Sequence, residues 1–470
     1  MSRALRAKFP SNNFLLGRFR RVTPSRPPVF LLMISAPTDK EGPLVLRGRV
    51  LTFEEDPSDP SRKAPYNYWE KGSVVIENGL VSDVGELTDI PVRAIVIDYG
   101  EHLICAGFID AHVHYPQIDV IASYGTQLID WLNSYTFPEE ARFSNKAVAD
   151  KASEFFLDEL LKNGFTTAAV YCTSHPASVD AFFEESSRRN LRMIAGKVLM
   201  DRNAPISVSD TAKSGYDQSK TLINKWHGQG RNLYAVTPRF APTSSPEQLE
   251  LAGVLYQNTD NVYVQSHVSE NLDEIEWVKD LFPEADNYLD VYQRFGLLGP
   301  KCLYGHGIHF SDAEIQLAAA TGIGIVHCPT SNLFMGSGLF QFDKLKSSGV
   351  ALAFGTDVGG GTSLSPFATM KSAYEIAQLQ GYSLSPEEAF YTASLGSAKT
   401  MHLDDKIGRI APGYEADLVV IDLNSTPIVR NRMHRADSLS DQLFTQIILA
   451  DDRAIRATYS AGKIVYDRGE

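Results

Sequence analysis

Eight short apolar segments in the middle of the chain limit its possible folds more than any other feature. They lie at residues 108–112, 166–171, 192–200, 233–239, 262–267, 302–307, 322–328 and 351–357. Most are uninterrupted apolar runs, as strands of a parallel sheet covered on both faces require. Amphipathic stretches such as 145–163, 246–257 and 311–320 stand between them. This alternation predicts an α/β fold, a (β/α)8 TIM-like barrel.

A doubly wound open sheet is the alternative α/β fold for the same alternation. Such folds often carry a glycine-rich phosphate-binding loop after the first strand. The first apolar segment is instead followed by Val113 and His114, with no glycine-rich loop. We therefore favour the barrel, in which functional residues lie at the carboxyl ends of the strands.

Both ends of the chain have the composition of short antiparallel strands. Near the amino terminus, apolar and β-branched runs flank Asn78-Gly79, which is a typical two-residue hairpin turn. Similar runs return from Ala416 onwards, and neither end has enough strands to close a sheet alone. We predict a small composite β-sandwich domain built from residues 43–105 and 409–470, and a catalytic barrel at 106–408.

The first 42 residues differ in composition from the remainder. Up to Thr38 there are no acidic residues, and the basic ones are Arg3, Arg6, Lys8, Arg18, Arg20, Arg21 and Arg26. This composition resembles an organelle transit segment, but Pro24, Pro27 and Pro28 would break a long helix. We predict a disordered extension, or an upstream start codon with Met33 as the true first residue, and leave targeting as the alternative.

The overall composition excludes several classes of protein. A net charge of −13 disfavours nucleic-acid binding, because contact with a phosphate backbone needs clustered lysine and arginine. No apolar run reaches the roughly 18 to 20 residues that span a bilayer. The four cysteines are scattered, as in a reduced intracellular protein. We predict a cytoplasmic protein that binds a small molecule and neither nucleic acid nor a membrane.

Polar side chains collect at the carboxyl ends of the predicted barrel strands. His112 and His114 are two residues apart on the first strand, so both imidazoles point to the same face. Later strands end in Arg239, His267, His306 and Asp357. Three imidazoles and a carboxylate can hold a divalent cation such as zinc and leave room for a water molecule. The predicted ligands are His112, His114, His267 and Asp357.

Glu270 follows His267 by three residues and would place a carboxylic acid near the metal. A proton shed by activated water must reach the leaving group, and Glu270 suits that transfer, with Asp357 able to share it. Alternatively, Glu270 has no catalytic role and simply lies next to the residue that caps the following helix. His306 is flanked by glycines, which allow close approach, and we expect it to orient water or substrate rather than bind the metal.

Two further residues have a weaker claim to the site. His327 ends the seventh predicted strand, unlike the other remaining histidines. Lys197 lies near the end of the third strand, and a carboxylated lysine bridges two metals in some barrel hydrolases. The fourth strand, however, carries no lysine. We therefore predict a single metal ion.

These residues and their order resemble the amidohydrolase superfamily. The shared features are the run at 108–114, His267, His306, the run at 355–357 and the closing run at 407–420. The resemblance covers nearly everything from Pro43 to the end. It implies a deaminase branch with one metal ion, because Glu270 follows His267 and the strand-four lysine is missing.

Within this superfamily the chain is most similar to the guanine deaminase family. The similarity lies in the loop at 128–140, in Gln117 and in the run at 237–240. It implies hydrolysis of guanine to xanthine and ammonia in purine catabolism, with one Zn²⁺ per chain, in a homodimer. By resemblance, Gln117 and Arg239 would hold the edges of the purine, and Phe240 would help fix its ring.

The same resemblance implies a division of roles at the reacting carbon, C2. Water activated by zinc would attack C2 while Glu270 protonates the neighbouring ring nitrogen. His306 would stabilise the tetrahedral intermediate, and Asp357 or Glu270 would protonate the departing ammonia, so His267, Glu270, His306 and Asp357 all lie against the substrate. Two alternatives remain: a related hydrolase acting on another purine, a pterin, a pyrimidine or a triazine, and a non-catalytic binding protein on the same barrel.

Overall fold

The computed structural model describes residues 42–86, 90–125 and 128–469. The predicted amino-terminal extension, apart from Gly42, lies outside these residues. The strands are β1 (Leu44–Phe53), β2 (Tyr66–Glu77), β3 (Leu80–Gly85), β4 (Ile95–Ala106), β5 (Phe108–His114), β6 (Phe165–Tyr171), β7 (Arg192–Gly196), β8 (Val198–Leu199), β9 (Leu233–Pro238), β10 (Tyr263–Val268), β11 (Cys302–His306), β12 (Gly324–His327), β13 (Ala351–Phe354), β14 (Leu418–Ile421), β15 (Ile455–Ser460) and β16 (Lys463–Asp467).

The α-helices lie mainly between the strands from β5 onwards. They are α1 (Leu128–Trp131), α2 (Phe137–Ala141), α3 (Lys146–Lys162), α4 (Pro176–Arg188), α5 (Ala212–Trp226), α6 (Pro246–Gln257), α7 (Leu272–Leu281), α8 (Tyr288–Arg294), α9 (Asp312–Thr321), α10 (Pro329–Phe334), α11 (Phe342–Ser347), α12 (Pro366–Leu379), α13 (Pro386–Tyr391), α14 (Ser397–Thr400), α15 (Pro427–Met433) and α16 (Leu439–Leu449). A π-helical turn at Leu132–Thr136 joins α1 to α2.

Strands β5 to β13 form a parallel sheet in the order β13-β12-β11-β10-β9-β7-β6-β5, with β8 paired to β9. Two backbone hydrogen bonds join its edges: the amide of Asp357 donates to the carbonyl of His112, and that of His114 donates to the carbonyl of Val358, both at 2.8 Å. They connect the chain leaving β13 to β5 and close the circle. The predicted (β/α)8 barrel is confirmed.

The helix α3 illustrates how the outer layer forms. Asn145 caps its start, because the side chain accepts a hydrogen bond from the amide of Ala147. Apolar residues at helical spacing, including Phe156 and Leu160, are buried on one face, while the opposite face is charged. This is the helix predicted at 145–163, and the one predicted at 246–257 is α6.

The third predicted strand, 192–200, is interrupted in the structure. It divides into β7 and β8, with Lys197 between them. At Gly196 the chain passes so close to the carbonyl oxygen of Ala235 that a Cβ would overlap it. The apolar run alone carries no sign of this break, since the close approach depends on the neighbouring strand β9.

The two ends of the described chain meet in a second sheet. Its order is β16-β15-β14-β4-β1-β2-β3, so β14 from the carboxyl-terminal part pairs with β4 from the amino-terminal part. The hairpin turn between β2 and β3 is Asn78-Gly79, as predicted, and both residues have positive φ. The proposed limits of the two domains, at residues 105 and 408, stay predictions. Among the described helices, none combines the length and apolarity needed to cross a membrane.

Candidate metal centre and active site

Four predicted ligands converge at the carboxyl end of the barrel. His112 and His114 lie on β5, His267 lies on β10, and Asp357 follows β13. One ligand atom from each lies within 4.8 Å of all the others. The Oδ1 atom of Asp357 is 3.3 Å from Nε2 of His112 and 3.2 Å from Nε2 of His114. The chain therefore brings together the three imidazoles and one carboxylate that zinc prefers.

The hydrogen bonds around these side chains fit a bound metal ion. Nδ1 of His267 lies 2.7 Å from the carbonyl oxygen of Arg239, which fixes the proton on Nδ1 and leaves Nε2 with a free lone pair. That Nε2 atom faces Nε2 of His114 at 3.2 Å. Nε2 of His112 is buried and forms no hydrogen bond with the described residues. Three imidazole nitrogens facing one another are suited to a shared cation, because buried polar atoms usually find partners.

The protonation states also suit metal binding. Burial lowers the pKa of His112, lowers that of His114 to about 3 and lowers that of His267 well below its usual value, which favours the neutral form of all three imidazoles. Burial favours the protonated form of Asp357, but the neighbouring His112 and His114 hold its pKa well below the usual range. The site thus offers neutral imidazoles and one carboxylate, as a divalent cation requires.

Close backbone approach fixes the ring of His112. A Cβ added to Gly305, on β11, would lie 2.7 Å from Nδ1 of His112, and one added to Gly355 would lie 2.8 Å from the Cβ of His112. Real side chains do not come this close. Of the two glycines that flank His306, Gly305 permits a close approach by the His112 ring.

We expect Gly305→Ala to weaken zinc binding about 10- to 100-fold, because the new methyl group displaces the His112 ring from its place. Competition with a chromogenic chelator would measure the dissociation constant. A thermal melt of the metal-free variant, compared with metal-free wild type, checks that the barrel still folds. Zinc affinity equal to wild type would show that the orientation of His112 does not depend on Gly305.

Glu270 lies beside the cluster of predicted metal ligands, and its side chain is almost fully buried. Burial, aided by the charge of Asp357, raises the pKa of Glu270 to about 8. Ser337 donates a hydrogen bond to Oε1 of Glu270 at 3.2 Å. The backbone amide of Glu270 donates to the carboxylate of Glu274, which fixes the loop. A carboxyl group that titrates near neutral pH can both accept and donate a proton.

His306 faces the two acidic groups of the site. Its Nε2 atom lies 3.4 Å from Glu270 and 3.6 Å from Asp357. Its Nδ1 atom lies 2.9 Å from Oδ1 of Asn332, an acceptor, so Nδ1 carries a proton. His306 and Asp357 both have left-handed backbone, at φ of 75° and 50°. Such strained positions cluster where side chains must be aimed at a site.

A second group of possible ligands overlaps the first. His306 and Cys328 lie with His112 and Asp357 in a cluster of the same size. Burial raises the pKa of the Cys328 thiol well above its usual value, and the thiol donates to the carbonyl of Val326. The set with His114 and His267 could hold a cation without deprotonation of a thiol.

A cavity of about 450 Å³, which includes its opening to solvent, lies directly above this cluster. Its wall contains His114, His267, Glu270, His306 and Asp357, and the predicted substrate-contacting residues Gln117, Arg239 and Phe240. Trp131 and Leu132, from the connection after β5, form part of the same wall, with Met335. Thus the residues predicted to hold a purine and those predicted to react with it share one cavity.

Residues 103–465 match the Amidohydrolase family. The chain belongs to this family. Guanine deaminase of Escherichia coli (strain K12) is 49% identical over 403 residues, which cover 85% of this chain and 92% of the relative.

Two solved structures of guanine deaminases extend the similarity to the fold. That of E. coli guanine deaminase has a TM-score of 0.89 and 46% identity, and the match covers 90% of this chain and 100% of that one. Guanine deaminase from C. acetobutylicum, with guanine bound in its active site, has a TM-score of 0.80 and 30% identity over 90% of this chain and 100% of its own. The resemblance predicted from the motifs is confirmed.

Several residues of the site carry no role in the sequence prediction. Glu140, Asn332 and Ser337 contact the residues that were predicted. Glu140 is the last residue of the loop at 128–140 on which the family resemblance rests, Asn332 lies on α10, and Ser337 stands in a loop with no recognisable motif. Tyr171, at the end of β6, stacks on His114 with ring centres 4.5 Å apart. The position of Tyr171 at the end of a predicted strand could have indicated that it lies near the site.

Lys197 and His327 take no part in the cluster. Lys197 is buried and forms an ion pair with Asp210, so Asp210 already balances the charge of its amine. His327 stacks on Phe340 with ring centres 4.2 Å apart, and neither ring nitrogen has a partner among the described residues. Burial lowers the pKa of His327 to about 3, so it packs as a neutral aromatic ring. The prediction of a single metal ion stays a prediction.

Proposed function

We propose that this protein is a guanine deaminase that hydrolyses guanine to xanthine and ammonia. One observation carries the proposal: a single cavity combines the metal-binding cluster with Glu270 and with the purine-edge donors Gln117 and Arg239. The relatives named guanine deaminase support the same substrate, including the one solved with guanine in its active site. A related hydrolase for another purine, a pterin, a pyrimidine or a triazine is an outcome of the test.

We propose one zinc ion per chain, held by His112, His114, His267 and Asp357. The neutral imidazoles, the ionised carboxylate and the orphaned nitrogen of His112 support this assignment. When bound there, zinc would supply a Lewis acid that makes a water molecule more acidic. The remaining steps of the reaction fall to side chains of the protein.

Glu270 is proposed to move the protons. Deamination at C2 uses both protons of the attacking water: the first passes to the ring nitrogen beside C2, and the second, from the hydroxyl group formed on C2, passes to the amine, which leaves as ammonia. Glu270 can both accept and donate, because its pKa of about 8 lies near neutral pH. Asp357 is proposed to share the transfer to ammonia. His306, 3.4 Å from Glu270, is proposed to stabilise charge on the tetrahedral carbon's substituents.

Gln117, Arg239 and Phe240 are proposed to recognise the base. An amide offers a donor and an acceptor together, and a guanidinium offers a fork of donors suited to a carbonyl oxygen. All three side chains are buried and lie against the cavity. A purine whose edge lacks the matching acceptors and donors would leave the free hydrogen-bonding atoms of Gln117 and Arg239 without partners, which disfavours its binding.

The direct test is to follow guanine consumption by ultraviolet absorbance and ammonia release. We expect turnover by the zinc-loaded protein, loss of turnover after treatment with a chelator, and recovery when zinc is restored. Adenine, adenosine, cytosine, a pterin and a chlorotriazine form the comparison panel. Faster turnover of any of these than of guanine would contradict the proposed substrate.

We further propose that the protein works in purine catabolism in the cytoplasm, as a homodimer. Cys105, Cys172, Cys302 and Cys328 are buried free thiols, which suits a reducing compartment. The homodimer rests on the resemblance to the family. The net charge of −13 supports the expectation that nucleic acid is not a partner.

A further inference from the structure

Glu140 is a buried carboxylate behind the wall of the cavity. It lies on α2, in the connection between β5 and α3, and its exposure is 0%. Its Oε1 atom accepts a hydrogen bond from Nε2 of Gln117 at 2.9 Å. Both of its oxygens accept from Nη1 of Arg239, each at 2.9 Å. One side chain therefore holds both of the residues proposed to contact the edges of the base.

These contacts decide which atoms of Arg239 remain free. Nη1 is occupied by Glu140, and the guanidinium lies over the ring of Phe137, 5.4 Å from its centre. Nε and Nη2 form no hydrogen bond with the side chains or backbone of the described residues, and Arg239 lines the cavity. The fork is thus turned so that its unused donors are available to a ligand.

Glu140 also fixes which way the amide of Gln117 points. The Nε2 atom donates to Glu140, and Oε1 accepts from the backbone amide of Gly359 at 3.3 Å. The reverse orientation would place an amide oxygen against a carboxylate and an amide nitrogen against a backbone donor. The amide therefore offers a ligand one donor and one acceptor at defined places.

The pairing has a consequence for charge. Arg239 is the one cation on the cavity wall among the described residues, and its charge is cancelled by Glu140. His175 also lies near Glu140, and burial favours the neutral form of its imidazole. Glu270 and Asp357 are the acidic groups on the cavity wall. With the ion pair intact, the edge-binding side of the cavity carries no net charge. An anion gains nothing there, while a neutral base keeps all its hydrogen bonds.

We propose that Glu140 is a positioning residue that orients Gln117 and Arg239 and, by cancelling the arginine charge, makes the cavity select a neutral purine over an anionic one. This inference rests on the proposed function. It would also favour release of the product, because the cavity would bind the xanthine anion weakly. Xanthine loses a ring proton more readily than guanine does, and the resulting anion finds no uncompensated cation on the edge-binding side of the cavity, where Glu140 balances Arg239.

The test compares two oxopurines that cannot be deaminated, since neither carries an exocyclic amine. In mildly alkaline buffer xanthine is mostly an anion and hypoxanthine mostly neutral. Titration calorimetry on zinc-loaded wild type and Glu140→Gln would give the affinity of each. We expect the glutamine variant to shift the affinity ratio towards xanthine about tenfold, because it leaves the buried guanidinium unpaired.

Two further variants separate charge from packing. Glu140→Asp keeps the charge but shortens the reach to Gln117, so we expect a wild-type affinity ratio with a raised KM for guanine. Glu139→Gln makes the same charge change one residue away, at a carboxylate that bonds Arg142 outside the cavity, and we expect no shift. An unchanged ratio in Glu140→Gln, or an equal shift in Glu139→Gln, would overturn the role of Glu140. Absence of guanine turnover by wild type would instead overturn the proposed function.

Discussion

Replacing Glu270 by glutamine is expected to lower kcat for guanine about 1000-fold while the protein keeps its zinc. The amide has the same size and can still accept the hydrogen bond from Ser337, so the local packing survives. It cannot take a proton from water or give one to the ring nitrogen. KM should change little, because Glu270 is proposed to act on the transition state more than on the bound base.

The measurements are steady-state kinetics and metal analysis on the same preparation. Glu276→Gln is the matched control, because this exposed carboxylate lies on the neighbouring helix α7 and pairs with Lys279. It should leave turnover and zinc content unchanged. Turnover like that of wild type in Glu270→Gln would remove Glu270 from the mechanism, and loss of zinc would make it a ligand.

The clustering of the four proposed metal ligands could be predicted from the sequence, because the barrel constrains where the ends of its strands lie. All the parallel strands end at the same rim of the barrel, so histidine and aspartate residues at strand ends lie close to one another. His112, His114, His267 and Asp357 do meet there. Glu270 was predictable for a related reason, since three residues of loop keep it close to His267.

The residues that hold the side chains of this site in place could not be predicted from the sequence. Glu140 is 99 residues from Arg239 along the chain, and Ser337 is 67 residues from Glu270. No spacing rule relates such pairs, because their contact depends on how connections of different lengths fold over the rim. The break between β7 and β8 was missed for the same reason, since it reflects the close passage of Ala235 past Gly196.

Removing one proposed ligand should distinguish residues that bind the metal from residues that only line the cavity. We expect His267→Ala to lose its zinc and to lower turnover at least ~1000-fold, because three remaining ligands without the fixed imidazole bind the ion weakly. His306→Ala should keep its zinc and lose about 100-fold in kcat, as expected for one group that stabilises charge in the transition state.

The contrast between these variants decides between the two overlapping ligand groups. His306 and Cys328 belong only to the second group, whereas His114 and His267 belong only to the first. Cys328→Ala serves as the control, and we expect it to retain both zinc and turnover, because its thiol bonds only a backbone carbonyl. Zinc content and guanine kinetics of the three proteins, each checked by a thermal melt, give the answer. If His306→Ala and Cys328→Ala lose zinc while His267→Ala retains it, the metal belongs to the second group, and His267 becomes a residue of the cavity wall.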